Sequence, residues 1–180
     1  MLQWNESLVD EMKQGDEHAF EQCYRQLSPI IYTAIFNICR DQGNANDLLQ
    51  DTFIAAFEKI QSYTSGPQLF TAWIKRIAFN NTFNFLKKHK LTVVGIESIE
   101  ENISPHLSIE MLHEQNDFLS ALLMQISEKE RLIIWLYVVE QYSHEEIGNI
   151  VNKTPSYSKS VVSRCLQKLR TKQEVKNYAY

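Results

Sequence analysis

The sequence predicts an all-α protein, and three observations carry that prediction. Glycine and proline are scarce, five and four in 180 residues, so obligatory turns are few. No long run alternates apolar and polar residues as a half-buried strand does. Apolar residues recur instead at the spacing of one helix face. The composition, 44% hydrophobic and 22% charged, is that of an ordinary globular protein, and the length suits one mid-sized domain or two small ones.

The elements follow in order. In "DLLQDTFIAAFEKI", Leu49, Phe53, Ala56, Phe57 and Ile60 share one helix face, and Asp47, Gln50, Asp51 and Glu58 fall largely on the other. The turn-like "SYTSGPQ" (62–68) ends that helix. "FTAWIKRIAFNNTFNFLKKHK" (70–90) supplies the next helix, predicted over 70–88. "ISPHLS" (103–108) has the punctuation of a linker or a helix start. Three starts follow: Ser127 with Glu130 and Ser143 with Glu146 as capping boxes, then Thr154 before a first-turn Pro155. A short helix joined by "NK" to a long basic one has the pattern of a helix-turn-helix.

Charge is unevenly distributed. Residues 1–92 carry 9 basic and 10 acidic side chains, 93–126 carry no Lys or Arg and 6 acids, and 127–180 carry 9 basic and 6 acidic. Within them, 75–90 and 153–172 hold 5 and 6 basic residues and no acid. Two basic segments separated by an acidic one suit a protein that meets polyanions at two places.

Cys23, Cys39 and Cys165 lie far apart without a CxxC pair, which suits a reducing compartment and argues against zinc or a disulfide framework. The start "MLQWNESLVDEM" lacks the pattern of a signal peptide, and "LIIWLYVV" is too short to span a bilayer. A cytoplasmic protein with no membrane insertion is expected. No phosphate-binding glycine loop, HExxH or GxSxG is present, so neither an enzyme nor a cofactor is expected. His18 and His144 sit beside acids near helix starts, where surface or capping roles are usual. Asp47 and Asp51 are one helical turn apart, with no third metal ligand nearby.

Residues 70–90 hold five large aromatics, five Lys or Arg and no acid. As a helix, Arg76, Asn80, Asn84 and Lys87 form a polar stripe, and Trp73, Ile74 and Ile77 can turn into a core. Lys and Arg bind phosphates, Asn reads base edges, and rings stack on unpaired bases. A plain amphipathic helix with its rings in the core remains the other reading. In "SYSKSVVSRCLQKLR", Ser156, Tyr157, Ser158 and Lys159 occupy the end that usually enters a major groove, and Arg164, Lys168 and Arg170 can hold phosphates.

Taken together these segments resemble a bacterial group 4 sigma factor, the extracytoplasmic-function (ECF) family of RNA polymerase initiation factors. "MKQGDEHAFEQCYRQLSPIIYTAI" is similar to the family's "GDEeAFeeLYerY.p.vy", and "ANDLLQDTFIAAFEKIQSY" to "AEDLvQEtFlraw..l..f", the most specific match. "FTAWIKRIAFNNTFNFLKKHK" is similar to "FraWLyrIArN.a.d.lRrrr". Residues 126–170 align without gaps to "LpekyRevllLryveglsyeEIAeilgis.gTVkSRlhRArkkLr".

The resemblance implies two helical domains, a σ2 bundle over 1–92 and a σ4 helix-turn-helix over 115–176, joined by a flexible acidic linker, 93–114. It implies that Asp47, Leu48, Gln50, Asp51 and Phe53 dock on the β′ clamp helices of core RNA polymerase. Tyr63, Trp73, Arg76, Asn80, Asn84, Lys87 and Lys88 would hold the melted −10 element. Ser156, Tyr157, Ser158, Lys159, Ser160, Ser163, Arg164 and Lys168 would read the −35 duplex, with σ4 also touching the β flap. An anti-sigma factor is a further implied partner. The chain departs from the pattern at Phe79 and Val161, where the family has Arg, and at Asn81, Cys165 and Leu166. Fewer phosphate contacts by the −35 helix are therefore expected. The alternatives are a self-sufficient helix-turn-helix regulator, which would leave the α-helical segments of 45–90 without a task, and an all-helical scaffold that binds another protein.

Overall fold

The computed structural model describes residues 7–64, 69–93 and 123–177. The expected linker, apart from Val93, and the predicted start near Pro105 lie outside these residues. Among them the chain is all-helical: α1 (Ser7–Lys13), α2 (Glu17–Cys39), α3 (Gln42–Glu58), a single 3-10 turn (Ile60–Ser62), α4 (Phe70–Val93), α5 (Glu128–Val138), α6 (His144–Val151) and α7 (Pro155–Asn177). Two compact units emerge, Met1–Phe83 and Asn84–Tyr180.

In the first unit, short side chains set the boundaries and apolar stripes set the packing. Gly15 takes φ +85°, a left-handed turn that costs glycine little. Asp16 then caps α2 by accepting from the backbone N–H groups of His18 and Ala19. Arg40, at φ 59°, ends α2, and Asp41 caps α3 through the Asn44 N–H. α2 buries Cys23, Leu27, Ile31, Ile35 and Ile38, and α3 answers with Leu48, Leu49, Phe53 and Ala56. Each large side chain removed from water here stabilises by about 1.5–3 kcal/mol. Burial pushes the Cys23 thiol up to about 12, marking it as a core residue rather than a nucleophile.

In the second unit all three expected helix starts are present. Ser127 and Glu130 exchange capping bonds, as do Ser143 and Glu146. The Tyr157 N–H bonds the Thr154 hydroxyl at 3.3 Å ahead of α7. α6 ends on Asn152 in the left-handed conformation, and the Lys153 N–H returns to the Gly148 carbonyl at 2.9 Å. This makes the tight turn that sets α7 against α6. Ser158, Val161, Val162 and Cys165 are the buried stripe of α7, spaced i, i+3, i+4, i+7. Both basic helices run beyond the segments that predicted them, α4 to Val93 and α7 to Asn177.

Candidate nucleic-acid and polymerase interfaces

Helix α3 presents Asp47, Gln50 and Asp51 to solvent, three carboxylate or amide groups within about one turn. Ile54, one turn further on, is 57% exposed. It is an apolar side chain on a polar face, missed in the sequence because it falls beside the buried stripe rather than within it. Leu48 and Phe53, also expected at the polymerase contact, lie in the core, 4% and 3% exposed. Phe53 meets the rings of Tyr24 and Phe57 edge-on, at 4.8 and 5.6 Å. The Phe53–Tyr24 contact ties α3 to α2 and so helps fix which way the acidic face points.

Before α4, Tyr63, Phe70 and Trp73 form a three-ring cluster with centroid separations of 5.3–5.4 Å. Tyr63, expected among the DNA-contacting residues, is 4% exposed and its ring packs in this cluster. Trp73 is half-buried. Along α4, Arg76, Asn84, Lys87 and Lys88 are exposed and Asn80 is half-buried, so the expected polar stripe reaches solvent. Phe79 is wholly buried, which explains why an apolar residue replaces arginine: a guanidinium there would lose its hydration. Leu69, at the foot of α4, is 60% exposed, a second apolar surface residue that the sequence reading did not single out.

On α7, Ser156, Tyr157, Lys159, Ser160, Ser163 and Arg164 are exposed. Ser158, expected beside them at the −35 duplex, is wholly buried, and its Oγ lies 3.0 Å from His144 Nδ1. Lys168 is exposed, but its Nζ donates to the Gln125 carbonyl at 2.7 Å, so one of its three donors is already engaged. Val161 and Cys165 are buried; the departure at Val161 serves packing as well as removing a charge. The Cys165 thiol is pushed up to about 11 by burial and by the neighbouring Glu130 carboxylate. Among the described residues, no group of three or more His, Cys, Asp or Glu could hold a metal ion.

An acidic helix face, a basic helix with rings at its foot and a doubly capped helix-turn-helix together define a helical DNA-binding protein of two parts. The sigma-70 region 2 family model matches residues 23–92, and the sigma-70 region 4 model matches 122–171. The chain is 24% identical over 152 residues to the ECF RNA polymerase sigma factor SigM of Bacillus subtilis (strain 168), covering 83% of this chain and 92% of that one. It is 25% identical over 175 residues to SigW of the same organism, covering 90% and 92%. Among solved structures it is similar to the sigma factor RpoE in complex with the anti-sigma factor NepR from Bartonella quintana. That match has a TM-score of 0.64 at 24% identity, over 87% of this chain and 97% of that one. It is similar also to CnrH in complex with the cytosolic domain of CnrY, with a TM-score of 0.57 at 17% identity, over 93% and 96%. The chain belongs to the ECF group of the sigma-70 family of RNA polymerase initiation factors.

Proposed function

We propose that this protein binds core RNA polymerase through the outer face of α3 and directs it to promoters by two DNA contacts. Asp47, Gln50 and Asp51 supply the polar part of the polymerase contact, on the β′ clamp helices, and Ile54 adds an apolar anchor among them. The face is small and exposed, so its acidic groups act chiefly by complementarity to a basic partner surface. Arg76, Lys87 and Lys88 neutralise the backbone of the melted −10 strand, Asn80 and Asn84 read its bases, and the half-buried Trp73 supplies a ring for stacking. The first two turns of α7 read the −35 element as duplex, and Arg164 and Arg170 hold phosphates.

In this reading the protein catalyses nothing itself: it positions the polymerase and supplies the strand-holding surface. It works where the polymerase works, in the cytoplasm. A regulatory protein that covers the α3 face or the α7 face would silence it, the part an anti-sigma factor plays, and the β flap would meet the second unit.

The observation that carries this reading is the order of the two matched regions, with an exposed acidic face on α3 in the first and a capped helix-turn-helix in the second. A self-sufficient helix-turn-helix regulator would have no use for α3 and α4. The test is retention on immobilised core RNA polymerase. Wild type is retained, and Asp51→Arg elutes in the flow-through with an unchanged circular dichroism spectrum. Equal retention of the variant overturns the role given to α3.

A further inference from the structure

His144, already met as the partner of the Ser158 hydroxyl, ties together α5, α6 and α7. It is the first residue of α6. Its ring stacks on that of Tyr137 near the end of α5, with centroids 4.7 Å apart and planes 12° from parallel. Its Nδ1 lies 3.0 Å from Ser158 Oγ in the first turn of α7. The backbone at its base is fixed as well, because Glu146 Oε2 accepts from both the N–H and the hydroxyl of Ser143, at 2.8 and 2.7 Å.

Ser158 is the first rung of the buried stripe on α7, whose next rungs are Val161, Val162 and Cys165. Val161 and Val162 make apolar contacts, which tolerate small rotations of a helix because they have no preferred direction, and the Cys165 thiol bonds Glu130 two turns further on. The first rung is different. A hydrogen bond loses strength steeply as its angle and length depart from ideal, and a wholly buried hydroxyl left without a partner is costly. Either tautomer of the neutral ring satisfies the pair, with the proton on Nδ1 or on Oγ.

Ser158 sits between Tyr157 and Lys159, both exposed, with Ser156 and Ser160 exposed beyond them. A side-chain tip rides roughly 5–6 Å from the helix axis, so a rotation of about 20° displaces it by about 2 Å. That exceeds the tolerance of a base-edge hydrogen bond.

We infer that His144 is a positioning residue for DNA reading: its bond to Ser158 fixes the rotation of the first turn of α7, and so aims Ser156, Tyr157, Lys159 and Ser160. The inference rests on the promoter-reading role proposed for α7. It separates His144 from residues that merely add affinity, because its loss should blur sequence preference more than it weakens binding.

The test uses holoenzyme assembled from core polymerase and the full chain, selected on a DNA library with a fixed −10 element and a randomised −35 region. His144→Phe keeps a ring against Tyr137 and removes the bond. It is expected to reduce the enrichment of the preferred −35 sequences roughly five- to tenfold, the size of one net hydrogen bond. His144→Asn, which can place a polar atom near the position of Nδ1, is expected to recover most of that enrichment. Ser158→Ala combined with His144→Phe should be no worse than His144→Phe alone. Unchanged enrichment with His144→Phe overturns the inference. So does a uniform fall in binding across the library, which would mark His144 as a stability residue only. A wild-type holoenzyme that assembles but shows no −35 preference overturns the α7 reading itself, and this inference with it.

Discussion

Lys13 Nζ donates to the backbone carbonyl of Tyr63 at 2.7 Å, across 50 residues of sequence. Gln61 returns the tie, its Nε2 donating to the Lys13 carbonyl at 2.7 Å. The ammonium also lies 5.8 Å from the centre of the Tyr63 ring. The C-terminal end of α1 therefore fastens the chain just before the segment that leads into α4. A part-buried, charge-assisted bond of this kind contributes about 1.5–2 kcal/mol. Lys13→Ala should lower the urea-unfolding free energy by about that amount, and Lys13→Arg should recover part of it. Equal unfolding midpoints for all three proteins would show the tie to be idle.

Gly148 carries the turn between α6 and α7. A Cβ there would lie 2.6 Å from the Lys153 carbonyl oxygen, a backbone atom that cannot swing aside. Alanine would gain about 1 kcal/mol of helix propensity, but overpacking of this kind costs about 1–3 kcal/mol. The turn must then open, and α7 shifts against α6. Gly148→Ala is expected to lower the thermal midpoint and weaken −35 duplex binding together. A midpoint at or above wild type contradicts that account of the turn.

Asn80 stands half-buried on the outward stripe of α4, between Arg76 and Asn84. Its amide can both donate to and accept from a base edge. Asn80→Ala should leave retention on core polymerase unchanged and reduce promoter opening. Permanganate reactivity of unpaired thymines near the −10 element measures this directly. A footprint equal to wild type removes Asn80 from the reading surface.

Burial alone would push the Glu130 carboxyl up. The bonds it accepts from the backbone and hydroxyl of Ser127, with Lys168 and Cys165 nearby, outweigh that and hold it below its ordinary value of 4.5. A carboxyl lowered in the folded state stabilises above its unfolded value and loses that contribution as pH falls through its folded one. Stability of the second unit should therefore fall in wild type as pH drops below 4.5, and less steeply in Glu130→Gln. Parallel curves for the two proteins, followed by thermal melts across that range, would show that Glu130 does not set the acid limb.

What was legible in the sequence is what depends on near neighbours. Ser127 with Glu130, Ser143 with Glu146, and Thr154 before Pro155 are contacts three residues apart or fewer, and all three formed as expected. The stripe on α3 was legible for the same reason, since Leu49, Phe53, Ala56 and Ile60 repeat with the helix period. What was not legible is what depends on distant partners. Tyr63 reads as a stacking ring, but its fate is decided by Phe70, Trp73 and Lys13. Ser158 reads as a polar recognition residue until His144, 14 positions away, claims its hydroxyl. Lys168 reads as a phosphate ligand, yet it donates to Gln125, 43 positions earlier. Leu48 and Phe53 match the family's region 2 pattern, but both are buried, Phe53 against Tyr24 of α2. Ile54 and Leu69 carried no periodic signal, because an exposed apolar residue is defined by what fails to cover it.

The central claim is that this chain gives core RNA polymerase a choice of promoter. Run-off transcription on fragmented genomic DNA from the source organism, with and without the protein, tests it most directly when the new 5′ ends are sequenced. The account predicts new starts that share two upstream elements at a fixed spacing. It predicts too that Asp51→Arg abolishes all of them and that Asn80→Ala weakens them. The absence of both new starts and stable binding to core polymerase would contradict it.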